Sequence, residues 1–217
     1  MTQESNRMKG RGGWIWLGAA FLILTAALSA AGQTATNRED EQYLCGQPNS
    51  PVKIEVFSDY QCPVCREFYL ETLKPLAADY ASGNKVYIVY HDFPLEMHQF
   101  SRKAARFALA ARRLGRERWL RVADVLYKEQ AQWSQDGNIE AVLAKALDPT
   151  ELVRLKKLAA DPAIDAAVGQ EIMLGQSRSI TSTPTVFIIT ETGRQQRVDS
   201  GIPYPVLKDF LDRTLKR

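Results

Sequence analysis

Residues 52–68, VKIEVFSDYQCPVCREF, decide the fold class of this chain. The segment from Val52 to Phe57 has the β-branched and aromatic character of a strand. Two cysteines separated by two residues follow it, and apolar residues then recur at helical spacing from Phe68 to Tyr80. The pattern predicts a strand, a cysteine-containing turn and a helix, a context in which a CxxC motif indicates redox chemistry.

The two cysteines of this motif, Cys62 and Cys65, have different predicted roles. Unpaired backbone N–H groups and the positive end of the helix dipole favour a thiolate at Cys62, where the helix begins. We therefore expect Cys62 to be the nucleophile and Cys65, one turn later, to be the resolving thiol. Pro63 suits the first helical position, where its missing N–H costs nothing. A stabilised thiolate in the reduced form makes the disulfide form a stronger oxidant.

A zinc half-site and an inert structural disulfide are the alternative interpretations of the cysteine pair. Tetrahedral zinc needs four ligands, but the sequence has no second CxxC motif and only His91 and His98 as histidines. A disulfide between residues so close in sequence would constrain little of the unfolded chain. The sequence therefore favours a redox pair, with no metal site and no cofactor expected.

The segments on either side of a long helical region predict a mixed sheet. A second strand is predicted at 86–90, and the helix before it is a crossover connection that makes the first two strands parallel. Strands at 185–190 and 196–199 are predicted to form an antiparallel pair, followed by a helix from about 205 to 215. Strands, a helical block and further strands indicate an α/β domain interrupted by a helical insertion.

The helical region, at about 98–180, is predicted to hold four or five amphipathic helices. Apolar residues recur there at spacings of three and four. Breaks are predicted at Gly115, at Asp136 and Gly137, and at two prolines that suit first-turn positions after aspartates, Pro149 and Pro162.

The N-terminal part of the chain is predicted to meet a membrane. Residues 14–31, WIWLGAAFLILTAALSAA, are almost wholly apolar and nearly long enough to span the hydrocarbon layer, which takes about 20 residues. The preceding residues 1–13 are basic and are expected to stay in the cytoplasm. The apolar segment is therefore a transmembrane anchor or a cleaved signal, and either one sends the rest of the chain outward. We expect 32–50 to be a tether and 51–217 to be the domain.

Composition and charge exclude several classes of protein. With 45% hydrophobic and 24% charged residues, the chain is neither disordered nor a many-span membrane protein. The net charge is only +3, and basic residues such as Arg112, Arg113 and Arg116 alternate with apolar ones, as on solvated helix faces. No motif for reading bases accompanies them, so nucleic acid is not an expected partner.

Three segments together resemble the DsbA-like branch of the thioredoxin superfamily. They are EVFSDYQCPVCREF at 55–68, HDFPLEMH at 91–98 and STPTVFI at 182–188. The resemblance implies a thioredoxin-like mixed sheet with an inserted all-helical subdomain and a thiol-disulfide oxidoreductase activity. It also implies that Pro184 is a cis proline facing the active-site cysteines, and that Thr183 exposes backbone groups to a substrate strand.

The same resemblance places Glu55 near the buried acid of relatives, which relays a proton to or from the second cysteine. The match requires one extra residue in the turn at 59–61. Strand alternation equally allows Glu55 to lie at the surface, so both placements stay open. Val64 departs from the histidine often found between the cysteines of oxidising relatives, and it cannot donate a hydrogen bond to Cys62. The odd cysteine, Cys45, either pairs with another protein or is buried as a small apolar residue.

Three functions are compatible with the sequence. The first is an extracytoplasmic oxidase that forms disulfides in exported proteins, with a quinone-linked membrane partner of the DsbB or vitamin K epoxide reductase type implied by the resemblance. The second is a reductase or isomerase for exported proteins, which reverses the electron flow. The third is a non-enzymatic module that binds extended peptide beside Pro184.

Overall fold

A computed structural model describes residues 42–216 of the chain. The predicted cytoplasmic segment 1–13, the anchor or signal at 14–31 and the tether up to residue 41 lie outside these described residues. Within 42–216, no helix has both the length and the apolar character that crossing a membrane requires.

One mixed sheet of five strands organises the described residues. Its order is β1-β3-β2-β4-β5, with β2 and β3 parallel and the other neighbours antiparallel. The predicted parallel pair and the predicted antiparallel pair are therefore confirmed. The strands are β1 (Tyr43–Cys45), β2 (Val52–Ser58), β3 (Val86–Asp92), β4 (Thr185–Thr190) and β5 (Gln195–Val198).

Helices cover both faces of this sheet. Between β2 and β3 the chain forms α1 (Pro63–Phe68), a π-helical turn (Tyr69–Leu73) and α2 (Lys74–Asp79) without a break. The helices between β3 and β4 are α3 (Ser101–Arg113), α4 (Arg116–Lys128), α5 (Gln130–Asp136), α6 (Ile139–Leu143), α7 (Pro149–Ala159) and α8 (Pro162–Ser177). The chain then forms α9 (Tyr204–Thr214) after β5.

Two features of this fold differ from the prediction. The described part of the chain has six helices between β3 and β4, not four or five, because a break at Glu129 (φ −96°, ψ 14°) separates α4 from α5. Neither glycine nor proline marks that break. The domain also begins before residue 51, because β1, inside the predicted tether, pairs with the outer edge of β3. A three-residue strand is too short for a sequence pattern to reveal.

Strand alternation gives β2 two different faces. Ile54 and Val56 belong to the main core cluster, which also holds Cys62 and Cys65. Phe57 points the other way, into a smaller cluster against α8. Ser58 directly follows Phe57 in the strand, so its side chain lies on the opposite face, which is the face that carries the cysteines.

The helical insertion closes the cysteine-bearing face. Trp119, Tyr127 and Trp133 are fully buried there and belong to the same core cluster as the cysteines. The indole N–H of Trp133 donates to the Leu126 carbonyl at 2.7 Å, so its polar atom is satisfied inside the core. Burial of each such aromatic side chain contributes roughly 1.5–3 kcal/mol or more, which anchors the insertion to the sheet beside the motif.

Candidate active site

Cys62 occupies the N-cap position of α1. Its backbone is extended (φ −73°, ψ 122°), and Pro63 follows at the start of the helix, as predicted. The Arg66 N–H donates to the Cys62 carbonyl at 3.1 Å, which closes the first helical turn. The Cys62 sulfur therefore lies at the end of a helix where free N–H groups and the dipole favour negative charge.

The surroundings of Cys62 stabilise its thiolate. A hydrogen bond from the Cys65 thiol is the largest cause, and the backbone N–H groups of Cys65 and Val64 add to it against the opposing effect of burial. Together they lower the pKa of Cys62 from 9.0 to about 6. Val64 thus contributes through its backbone although its side chain has no donor. A thiol with this pKa is largely ionised at neutral pH and is a competent nucleophile and leaving group.

Cys65 has the opposite character. It is fully buried, and this burial, followed by the neighbouring Cys62 sulfur, raises its pKa well above 9.0. The Cys65 thiol therefore keeps its proton at neutral pH while Cys62 is a thiolate. The ionised Cys62 sulfur is suited to be the nucleophile, and the protonated Cys65 sulfur is suited to be the resolving thiol.

The predicted Thr183 and Pro184 lie against this pair. The peptide bond between them is cis, as the resemblance implied. The Cys62 thiol lies 3.5 Å from the Thr183 carbonyl oxygen, although the two residues are 121 positions apart. The structure therefore brings the start of β4 directly beside the reactive sulfur.

Asp59, for which no role was predicted, holds the loop before Cys62 in place. Its buried carboxylate accepts hydrogen bonds from donors in three segments, namely Gln61 N at 2.7 Å, Leu95 N at 2.9 Å, His98 Nδ1 at 2.7 Å and the Ser101 hydroxyl. His98 therefore has a structural role in this loop. An aspartate just before a CxxC motif was the only available signal for this role.

Gln130 of α5 is a second contact that the sequence did not reveal. Its buried side-chain amide donates to the carbonyls of Tyr60 at 2.7 Å and Cys62 at 3.0 Å. The helical insertion thus fixes the backbone of the cysteine loop through two hydrogen bonds. Unsatisfied buried carbonyls would cost about 1–3 kcal/mol each, so this contact favours one loop conformation.

Glu55 does not lie beside the cysteines. Its carboxylate pairs with Lys53 at 2.7 Å and with Arg178, and these cations lower its pKa against the effect of burial. Glu55 shares the β2 face of Phe57, whereas Cys65 contacts Ser58 on the opposite face. The structure therefore gives no support to a proton relay through Glu55, because the sheet separates its carboxylate from Cys65.

Cys45 is buried in β1 and is remote from the pair in the sheet order. Its thiol donates weakly to the Val86 carbonyl at 3.6 Å, and burial raises its pKa to about 11. A thiol of this kind is mostly protonated and inaccessible at neutral pH. The arrangement favours the interpretation of Cys45 as a small apolar core residue.

Comparison with known proteins agrees with this fold. A family model described as thioredoxin matches residues 38–201. The chain belongs to the thioredoxin family. Its thioredoxin domain carries the helical insertion between β3 and β4.

Relatives of this thioredoxin-family chain include proteins of the DsbA type. The probable disulfide bond formation protein D of Bacillus cereus is 22% identical over 180 residues, or 81% of this chain and 80% of that protein. The crystal structure of DsbA2 from Pseudomonas aeruginosa is 26% identical, with a TM-score of 0.62 over 80% of this chain and 93% of that one. The structure of a variant of alpha-DsbA1 from Wolbachia pipientis in which two cysteines are replaced by alanine, at 16% identity and a TM-score of 0.68, shares the fold over 82% of this chain and 91% of that one.

The predicted resemblance to the DsbA-like branch is thereby confirmed. The chain is a DsbA-like thiol-disulfide oxidoreductase with a thioredoxin-like mixed sheet.

Proposed function

We propose that this oxidoreductase forms disulfide bonds in exported proteins through Cys62 and Cys65. The observation that carries the proposal is the opposed ionisation of the pair, since the pKa of Cys62 is lowered to about 6 while that of Cys65 is raised. Whatever stabilises the reduced form with its Cys62 thiolate makes the disulfide a stronger oxidant. The similarity to the probable disulfide bond formation proteins D of two Bacillus species supports the same direction.

The reaction begins with the pair as a disulfide. A substrate thiolate attacks Cys62 Sγ, the bond between Cys62 and Cys65 breaks, and Cys65 leaves with the electron pair and takes up a proton. A second substrate thiolate then attacks the substrate sulfur of the mixed disulfide and releases the Cys62 thiolate. The substrate is oxidised by two electrons and the protein is reduced by two. The low pKa of Cys62 makes it the better leaving group in this second step.

Thr183 and Pro184 are the proposed substrate-binding residues. The Thr183 carbonyl next to Cys62 is positioned to accept a backbone hydrogen bond from an extended substrate segment. Val64, about half exposed beside Cys62, offers an apolar contact to the same segment. Backbone pairing of this kind accepts many sequences, as an enzyme with diverse exported substrates requires.

The N-terminal sequence supports a proposal for the location of the protein, and the resemblance to DsbA-like proteins supports one for its electron acceptor. We propose that residues 14–31 direct the domain out of the cytoplasm, either as a single membrane anchor or as a cleaved signal. Disulfides persist in extracytoplasmic compartments, where an oxidase can act. An integral membrane, quinone-linked protein is the proposed partner that re-oxidises the cysteine pair.

The reduction potential of the pair tests the direction of the reaction. We expect a value nearer to the roughly −120 mV of DsbA than to the roughly −270 mV of thioredoxin, measured by equilibration with glutathione and quantified by thiol alkylation. A value near that of thioredoxin would contradict the proposal and favour the reductase. Retention of full cellular function by Cys62→Ser would instead favour a peptide-binding module.

A further inference from the structure

A network of buried hydroxyl groups begins at Cys65. The Ser58 hydroxyl hydrogen-bonds to the Cys65 sulfur and lowers the pKa of that thiol against the dominant effect of burial. Ser58 Oγ also lies 2.9 Å from the Tyr127 hydroxyl, which hydrogen-bonds to the Tyr90 hydroxyl. All of these side chains are buried, so any proton that reaches Cys65 from this side travels through the protein interior.

Asp92 lies at the other side of this network. It is the parallel-register partner of Ser58, so the two side chains share one face of the sheet on strands about 4.8 Å apart. The Gln42 side-chain amide donates to Asp92 Oδ2 at 2.9 Å. The second oxygen, Oδ1, is buried and has no hydrogen-bond partner within residues 42–216. A buried acid oxygen without a geometric hydrogen-bond partner calls for an explanation, and proton exchange would be one.

Groups from four other segments face the Asp92 carboxyl. Burial, the largest influence, together with Glu171 of α8 raises its pKa from 3.8 to a net value of about 7. Gln42, Arg112 of α3 and the Tyr60 hydroxyl act in the opposite direction. The carboxyl also raises the pKa of Tyr60 and of Tyr90, which shows that it interacts with both phenols. A group of this kind exchanges protons efficiently at neutral pH.

We propose that Asp92 is a positioning residue that exchanges a proton with Cys65 through Ser58 and the neighbouring tyrosine hydroxyls. The role is the one that the family resemblance implied for Glu55, here proposed for an acid on the face of the sheet that carries Ser58. The inference rests on the proposed function in that it takes Cys62 and Cys65 to be the redox pair. Asp92 acts through other residues and does not touch the sulfurs.

The protons can be followed when Cys65 resolves a mixed disulfide at Cys62. When Cys62 carries a mixed disulfide, the Cys65 thiol passes its proton into the hydroxyl network and the Asp92 carboxylate takes one up. The Cys65 sulfur attacks Cys62 Sγ, the protein disulfide forms, and the former partner leaves as a thiolate with the electron pair. In the oxidase direction the same steps run in reverse, and Asp92 supplies the proton that the departing Cys65 thiolate requires.

A reaction with two kinetic phases measures the reactivity of Cys65 separately from that of Cys62. Reduced protein in a Cys45→Ala background is mixed with an aromatic disulfide that releases a coloured thiolate, and the absorbance is followed by stopped flow between pH 5 and pH 9. The first phase reports the attack by Cys62 on the reagent. The second phase reports the attack by Cys65 on the mixed disulfide, so it alone depends on the proton of Cys65.

In the Cys45→Ala parent, the second phase should become faster with pH around an inflection near 7, where Asp92 ionises. Asp92→Asn should leave the first phase unchanged, slow the second phase at least about tenfold at pH 7 and remove this inflection. Glu171→Gln should move the inflection to lower pH, because it removes a carboxylate that raises the pKa of Asp92. A purely structural role for Asp92 predicts no such movement. Tyr127→Phe, which removes one hydroxyl of the network, should also slow the second phase selectively.

Thermal unfolding and circular dichroism of each variant identify any loss of folding. A normal first phase with an unchanged second phase in Asp92→Asn would overturn the inference and leave the proposed function intact. If Asp92→Asn fails to fold, an unshifted inflection in Glu171→Gln together with a normal second phase in Tyr127→Phe would overturn it. The absence of a fast first phase in the parent would contradict the proposed function itself, and the inference with it.

Discussion

Cys62 and Cys65 carry the same functional group, but their positions relative to one helix give them opposite proton affinities. Cys62 precedes the helix and receives hydrogen bonds from a thiol and from backbone N–H groups. Cys65 lies one turn inside, where burial disfavours a charge. The difference comes from burial and from the hydrogen bonds that each sulfur receives. A sequence pattern that places a helix start at Cys62 predicts its direction.

At the residue scale, we predict that the alkylation rate of Cys62 rises with pH around an inflection near 6. The reason is that a lowered pKa populates the reactive thiolate above pH 6, whereas an ordinary thiol requires a pH near 9. The measurement is the rate of iodoacetamide modification from pH 4 to pH 9, followed by mass spectrometry.

Cys65→Ala is the matched control for this measurement. It removes the thiol that donates to Cys62, which is the largest cause of the lowered pKa, so the inflection should move to higher pH. An inflection near 9 in the unmodified protein would show that the helix terminus does not activate this sulfur.

At the scale of elements, several helix ends agree with the sequence signals. Asp148 accepts a hydrogen bond from Glu151 N at 2.8 Å and Asp161 accepts one from Ala163 N at 2.8 Å. Each aspartate is an N-cap followed by a proline at the start of α7 or α8, as the sequence predicts. The break at Glu129 lacked such a signal because the backbone there turns without glycine or proline.

The packing of α8 against the sheet depends on Gly175, and we predict that Gly175→Ala destabilises the protein. An added Cβ would lie 2.4 Å from Phe93 Cδ2, so the helix or the ring would have to move. We expect a loss of about 1–3 kcal/mol in the free energy of unfolding, measured by urea denaturation. The tight contact places α8 against the sheet face that carries Phe57 and Glu55.

Gly169→Ala, in the same helix, is the control. Its added Cβ would have only Arg102 Nη2 nearby, at 3.9 Å. Because alanine favours a helix over glycine, this variant should gain about 0.5–1 kcal/mol. Equal effects of the two substitutions would contradict the close approach of α8 at Gly175.

At the scale of the whole molecule, the redox state and the folding stability are linked. We predict that the reduced protein is more stable than the oxidised one, because a strong oxidant is one whose reduced form is stabilised by folding. The measurement is the free energy of unfolding of both forms by urea denaturation at pH 8 and at pH 5. A more stable oxidised form would agree with a reductase instead.

The difference in the free energy of unfolding between the reduced and the oxidised protein should become smaller as the pH falls. Cys62 has a lowered pKa, so its contribution to the reduced form is fully present only above its unfolded pKa near 9 and is lost as the pH falls through about 6. The raised pKa of Cys65 leaves that thiol protonated in both the folded and unfolded states between pH 5 and pH 8. Cys62→Ala, which has no such thiolate, provides the background pH dependence.

The sequence by itself determined the parts of this protein that depend on neighbouring residues. A strand, CPVC and a helix in succession specify where the reactive sulfur lies, and the resemblance to the DsbA-like branch pointed to Thr183 and Pro184. Parallel pairing of β2 with β3 followed from the length and character of the connection between them.

Only the tertiary structure decided which acid lies on the face of the sheet that carries Ser58 and Cys65. The choice between Glu55 and Asp92 depends on which face of β2 carries each side chain, on the register of Ser58 with Asp92, and on the packing of Tyr127 from α4. A shift of one residue along a strand reverses the face of every side chain on it. Such contacts join segments that are far apart in the chain, so their geometry follows from packing of the whole domain and not from any local pattern.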